Sequence, residues 1–154
     1  MIGEHRTSID IDATPELVWE VLTDLPAYPE WCPLVTGAEG TFALGGRVSF
    51  TFPPMGALLR TTVRATVLEV TQCRRLRYLL RFARRGVPGL LDVQHTVTID
   101  LQDDGVRLWE EMRFRGLLLP LMTRSLNRDS GPAVGAMPAA LKNRIEGRRA
   151  TRIE

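Results

Sequence analysis

Cysteine, lysine and histidine are nearly missing from this 154-residue chain, and each scarcity closes off a chemistry. Cys32 and Cys73 are the only cysteines and fall in no metal-binding or redox spacing, so two reduced thiols are expected, not a disulfide framework. His5 and His95 are the only histidines, and the chain holds no HExxH, CxxC pair or carboxylate-rich cluster, so no metal is expected. GxSxG and GxGxxG are absent, as is any phosphate-cradling glycine loop, which leaves a nucleotide cofactor without a seat. No cofactor is expected at all. The net charge of +2 is too small to call for a nucleic-acid partner. No apolar run reaches the length of a membrane span and no signal peptide opens the chain, so the sequence predicts a cytoplasmic protein without stable membrane insertion.

What is present is ordinary for a globular protein. The chain is 44% hydrophobic and 25% charged, long enough for a substantial core, without internal repeats or a linker. One domain spanning residues 1–154 is expected.

The most regular pattern lies between Gly86 and Leu121. Leu91, Val93, His95, Val97, Ile99 and Leu101 alternate with Asp92, Gln94, Thr96, Thr98, Asp100 and Gln102. Beyond Asp104-Gly105, Val106, Leu108, Glu110, Met112, Phe114 and Gly116 alternate with charged residues and Trp109. This is a hairpin with one covered and one wet face. A two-residue turn at Asp104-Gly105 puts His95 opposite Phe114, Glu110 opposite Ile99 and Gly116 opposite Val93. His95 and Glu110 then stand four residues apart along the strands, roughly 13 Å, and do not touch. A covered face carrying an imidazole, a carboxyl group and a glycine points to a pocket more than to a solid core.

The remaining elements follow in order. Residues 4–11 read as a strand. Thr14-Pro15 starts a helix striped by Leu17, Val18, Val21, Leu22 and Leu25. Pro26 and Pro29 break the next passage, where Tyr28 and Trp31 are packing anchors or pocket wall. Thr41–Phe52 reads as a hairpin turned at Gly45-Gly46. Arg60–Thr71 is a strand with a bulge or change of covering near Leu68 and Val70. Leu76, Tyr78, Leu80 and Phe82 are the inward set of the strand after it. Six arginines between Arg74 and Arg85 are a solvated sheet face, with a basic patch for anionic lipid, in transient membrane contact, or for nucleic acid as the alternative. Leu126–Arg149 is helical, begun late or kinked at Pro138. The expected fold is α+β: about seven antiparallel strands in a curved sheet gripping a long C-terminal helix, with two short helices.

Several stretches also resemble a known family: IDIDATPELVWEVLTDLPAYPEWCPLV, the Gly45-Gly46 turn, VPGLLDVQHTVTI, RFRGLLLPL and ALKNRIEG. Together they make the chain similar to the START-like SRPBCC superfamily, of the polyketide cyclase/dehydrase and lipid-transport type. The resemblance implies the helix-grip fold and an apolar cavity between sheet and C-terminal helix that binds a lipid, polyketide or aromatic molecule. Many relatives carry a glutamate facing that cavity four residues before the RFRG glycine. Met112 stands there in this chain, with carboxylates at Glu110 and Glu111.

The candidate lining is Trp31, Phe50, Val67, Tyr78, Leu80, Phe82, Val93, His95, Val97, Glu110, Met112, Phe114, Met137 and Leu141. His95 is the candidate catalytic residue, able to move a proton or hold a ligand hydroxyl or carbonyl, or else a histidine satisfied by internal water or backbone. Glu110 is either a buried carboxyl group fit for general-acid work or a hydrated residue at the rim. The leading expectation is a binding protein for a hydrophobic small molecule. The alternative is a polyketide cyclase or dehydratase using His95 in proton transfer. The sequence sets no oligomeric state.

Overall fold

The computed structural model describes residues 2–53, 61–82, 91–117 and 131–153, the side chains at 2, 61 and 131–135 excepted. Seven strands form one antiparallel sheet: β1 (Ile2–Ile11), β2 (Gly37–Gly40), β3 (Arg47–Phe52), β4 (Thr61–Thr71), β5 (Arg75–Arg81), β6 (Asp92–Gln102) and β7 (Gly105–Arg115). They lie in the order β1-β7-β6-β5-β4-β3-β2, a meander whose first strand returns to the edge beside the last. Three α-helices complete the described chain: α1 (Pro15–Thr23), α2 (Tyr28–Trp31) and α3 (Gly131–Ile153), with a 3-10 turn at Leu25–Ala27.

Local chemistry accounts for these boundaries. Thr14 caps α1 by accepting from the Leu17 N–H at 3.3 Å, and Pro15 occupies the first turn, where a missing N–H costs nothing. Leu17, Val18, Val21 and Leu22 form its buried stripe. In β4 the ladder shifts between Val67 and Glu69, so Leu68 is the bulged residue, turned to solvent as its sequence position suggests. Pro138 lies inside α3, which runs from Gly131 without interruption. Met137, Leu141 and Ile145, four residues apart, line the helix side that packs into the core.

Two readings of the sequence need correction. The first strand of the early hairpin is Gly37–Gly40, before the expected Thr41, and residues 41–46 are its loop. That loop is held to the β4 bulge by hydrogen bonds from Gly45 N–H to Val67 O and from Val67 N–H to Gly46 O, both 3.2 Å.

The larger correction concerns the central hairpin. Its turn is Asp103-Asp104, with Gln102 paired to Gly105. Gly105 is there for a different reason: it has φ +118°, and a Cβ on it would sit 2.3 Å from the Ile11 carbonyl oxygen of β1. The pairing is displaced by two residues, which keeps every side chain on its expected face and changes every partner. His95 pairs with Met112, Val97 with Glu110, and Val93 with Phe114. Gly116 lies beyond the last pair and opposes nothing in the ladder, so it is not the origin of a hollow opposite Val93.

Arg84, Arg85 and the expected helix start at 126–130 lie outside the described residues. Arg75 and Arg77 are tied down, donating through Nε to Thr98 and Thr96 at 3.3 Å, with Glu69 a further 3.7 Å partner of Arg77.

A buried tyrosine, histidine and glutamate in the hollow of the sheet

The corrected register builds the candidate site. Tyr78 on β5 is the direct cross-strand partner of His95 on β6. Glu110 on β7 is the partner of Val97, hence diagonal to His95 on the same face. Diagonal neighbours stand about 7–8 Å apart at the backbone, a gap that two long side chains can close. The Tyr78 hydroxyl and His95 Nδ1 are 2.5 Å apart. His95 Nε2 lies 3.9 Å from Glu110 Oε2, beyond hydrogen-bond reach but close. All three residues are buried, His95 and Glu110 each 6% exposed. The two polar side chains expected to be far apart are neighbours, and Glu110 is no rim residue.

One atom of this group lacks a partner: His95 Nε2 is buried and makes no hydrogen bond. Nδ1 meets only the Tyr78 hydroxyl, and burial pushes that phenol well above its ordinary value, so it keeps its proton. If the phenol donates to Nδ1, one bond satisfies both atoms, and the ring proton then belongs on Nε2. If Nδ1–H donated instead, the Tyr78 proton would be buried with nothing to bind. The first arrangement costs less, and it leaves an N–H donor facing a carboxyl oxygen.

Aromatic and aliphatic side chains surround the trio. They enclose a hollow of about 80 Å³ walled by the sheet, by α3 through Met137 and Leu141, and by the segment around α2. At roughly 10–15 Å³ for each water on this measure, that admits several waters or one small organic group. Phe50 stacks on Tyr78 with ring centres 5.6 Å apart, and Tyr28 meets Trp31 at 4.9 Å and Phe50 at 5.8 Å. Tyr28 donates to the Leu22 carbonyl at 2.6 Å, and burial pushes the pKa of its phenol and of the Cys32 thiol up, so both hold their protons more tightly.

Ten of the expected lining residues bound this hollow: Trp31, Phe50, Tyr78, Leu80, His95, Val97, Glu110, Met112, Met137 and Leu141. Four do not. Val67 and Val93 are packed core, Phe82 meets Phe52 at a tilt with ring centres 5.5 Å apart, and Phe114 is half-buried beyond the row that holds His95. The sequence missed Leu22, Cys32, Leu34, Val35, Phe52 and Leu76 in the wall. For Phe52 and Leu76 the alternation was a usable signal. The segment 32–35 is irregular, and no periodicity shows which of its side chains turn inward.

Among the described residues no group of side chains could hold a metal ion, and no helix is long and apolar enough to cross a membrane.

A curved seven-stranded antiparallel sheet closed round a C-terminal helix, with two short helices between its first strands, is the helix-grip fold. Within that fold the chain belongs to the polyketide cyclase/dehydrase and lipid-transport family, whose profile matches residues 4–147. No protein of curated function matches the sequence. Solved structures match the fold at low identity. The di-domain ARO/CYC StfQ of the steffimycin biosynthetic pathway aligns with TM-score 0.75 and 12% identity, over 97% of this chain and 53% of that one. A norcoclaurine synthase of Thalictrum flavum, bound to a transition-state analogue, gives 0.70 and 12% over 97% of both chains. A START superfamily protein from Mycobacterium smegmatis gives 0.69 and 15% over 94% of this chain and 97% of that one.

Proposed function

We propose that this protein binds a hydrophobic small molecule in the hollow between sheet and α3, with His95 and Glu110 as its polar contacts. One observation carries the reading. A fold of this size could fill its centre with leucine, yet here an apolar hollow retains a buried imidazole nitrogen with no partner. Buried polar groups are normally satisfied, and one left open beside an apolar hollow suits a ligand atom. Membership of a family of cyclases, dehydrases and lipid-transport proteins agrees with that class of ligand. Met112 and Met137 in the wall are unbranched and adapt their shape, so a molecule larger than the empty hollow can be admitted by their displacement.

The test is native mass spectrometry of protein purified from its own host, followed by titration of the emptied protein with lipids and aromatics while Trp emission is read. A co-purifying apolar molecule and a saturable change in emission are expected, since Trp31 lies in the wall. No bound molecule and no change with any candidate overturns the reading.

A second reading, an enzyme of the cyclase or dehydratase type, is favoured by the Tyr78–His95–Glu110 contact. A phenol, an imidazole and a carboxyl group in succession within an apolar hollow can pass a proton to or from a substrate oriented there. It requires that His95→Ala abolish turnover while sparing ligand affinity. Equal loss of both makes His95 a binding residue only.

A further inference from the structure

The hollow presents its ligand with one donor and one acceptor side by side, and that pairing selects a functional group. Nε2–H of His95 can only give a hydrogen bond, and the nearby Glu110 carboxyl oxygen accepts one. The two atoms are 3.9 Å apart, and Nε2 has almost no free surface in the hollow. A single oxygen let in between them by a small shift of the adaptable wall would lie at about 2.8 Å from both.

A carbonyl or ether oxygen in that place satisfies Nε2–H and sets lone pairs against the carboxyl oxygen. An ammonium group does the reverse. A hydrocarbon satisfies neither. A hydroxyl accepts from one and donates to the other, and it does so without a net charge that the apolar walls would disfavour. The surrounding rings of Phe50, Tyr28 and Trp31 offer faces and edges to a planar body attached to that oxygen.

We infer that the ligand of this hollow is a hydroxyl-bearing aromatic molecule whose hydroxyl sits between His95 Nε2 and the Glu110 carboxyl group. The inference rests on the binding function proposed above and narrows it from hydrophobic molecules in general to phenols and their like.

Phenol, anisole and toluene separate the two claims, because they share one ring and differ only at the oxygen. Calorimetry or NMR titration of the wild-type protein should show phenol binding about tenfold or more tightly than anisole or toluene, the worth of one to two net hydrogen bonds. In Glu110→Leu the preference should collapse to within about threefold, with toluene still binding as evidence of an intact hollow. On the wild type alone, the ¹⁵N signals of the His95 ring should move with phenol and stay in place with toluene, which keeps the test open if the variant does not fold.

Equal binding of all three probes overturns the hydroxyl seat and leaves a general apolar site standing. Binding of none overturns both. A phenol preference that survives Glu110→Leu, or that leaves the His95 ring signals unmoved, places the seat elsewhere and overturns the assignment.

Discussion

Neighbouring rows of one sheet face meet the same demand in opposite ways. Near the β6–β7 turn the rows are Ile11 with Val106, and Ile99 with Leu108, each 2% exposed or less and packed with Ile145 of α3. The next row is Glu110 with Val97, followed by Met112 with His95 and Tyr78. The backbone is the same, and so is the alternation. One end is filled with branched aliphatics and closes solid. The other keeps polar groups and a void, which costs stability and gains a place for a guest. Alternation therefore tells which side chains face inward, and residue type tells whether they meet.

Substitutions can break that contrast from either end. The largest effect is expected at the solid end: Leu108→Ala leaves a cavity where nothing is exposed and should cost about 2–5 kcal/mol in a denaturant titration. A cost below about 1 kcal/mol would mean the two ends are packed alike.

Alkaline pH probes the hollow end. Burial holds the Tyr28 and Tyr78 phenols above their ordinary value of 10. The folded chain keeps protons that the unfolded chain releases there, so their contribution is whole below about pH 10 and is lost as pH rises beyond it. Each buried phenol should remove up to about 1.4 kcal/mol per pH unit, and Tyr28→Phe should lessen the slope measured at about pH 11.

At Glu110 the expectation is opposite to Leu108. Replacing a buried carboxyl group by Glu110→Leu should leave stability within about 1 kcal/mol of the wild type, or raise it, while changing what the hollow binds. A loss as large as that of Leu108→Ala would make Glu110 a structural residue.

The smallest effect concerns how α3 is fastened to the first helices. Glu20 on α1 accepts from Arg148 at 2.8 Å and from Arg152 at 2.7 Å, Arg149 pairs with Asp12, and Arg144 reaches Glu30 at 3.5 Å. The Arg152 guanidinium holds the Glu20 carboxyl below its ordinary 4.5, so this contribution is present above that pH and fades as the solution is acidified below it. The group is 42% exposed, and solvent screening leaves it a few tenths of a kcal/mol, roughly 0.2–1 at most. Glu20→Gln should lower stability by that much in dilute buffer and by nothing measurable in about 0.5 M salt.

The inside and outside of the sheet were legible because one apolar side chain in two is a strong signal. The bulge at Leu68 was legible where two apolar residues broke the period. Partners across the hairpin were not. Asp104-Gly105 looks like a turn, yet Gly105 is glycine because the Ile11 carbonyl approaches it too closely for a side chain. That contact comes from a strand ninety-odd positions away in sequence, beyond any local rule. The same two-residue displacement concealed the His95–Glu110 contact. Likewise β2 is the four residues Gly37–Gly40, which have no strand preference of their own and are held by pairing with β3.

Methyl NMR of protein labelled at its methionines gives the most direct test of the central claim. Met112 and Met137 stand on opposite walls of the hollow, one on β7 and one on α3. An apolar ring entering between sheet and helix should move both methyl signals together, saturably, and with one shared affinity. Toluene or phenol that leaves both signals in place, at concentrations where binding is otherwise detected, would contradict a guest site at that position.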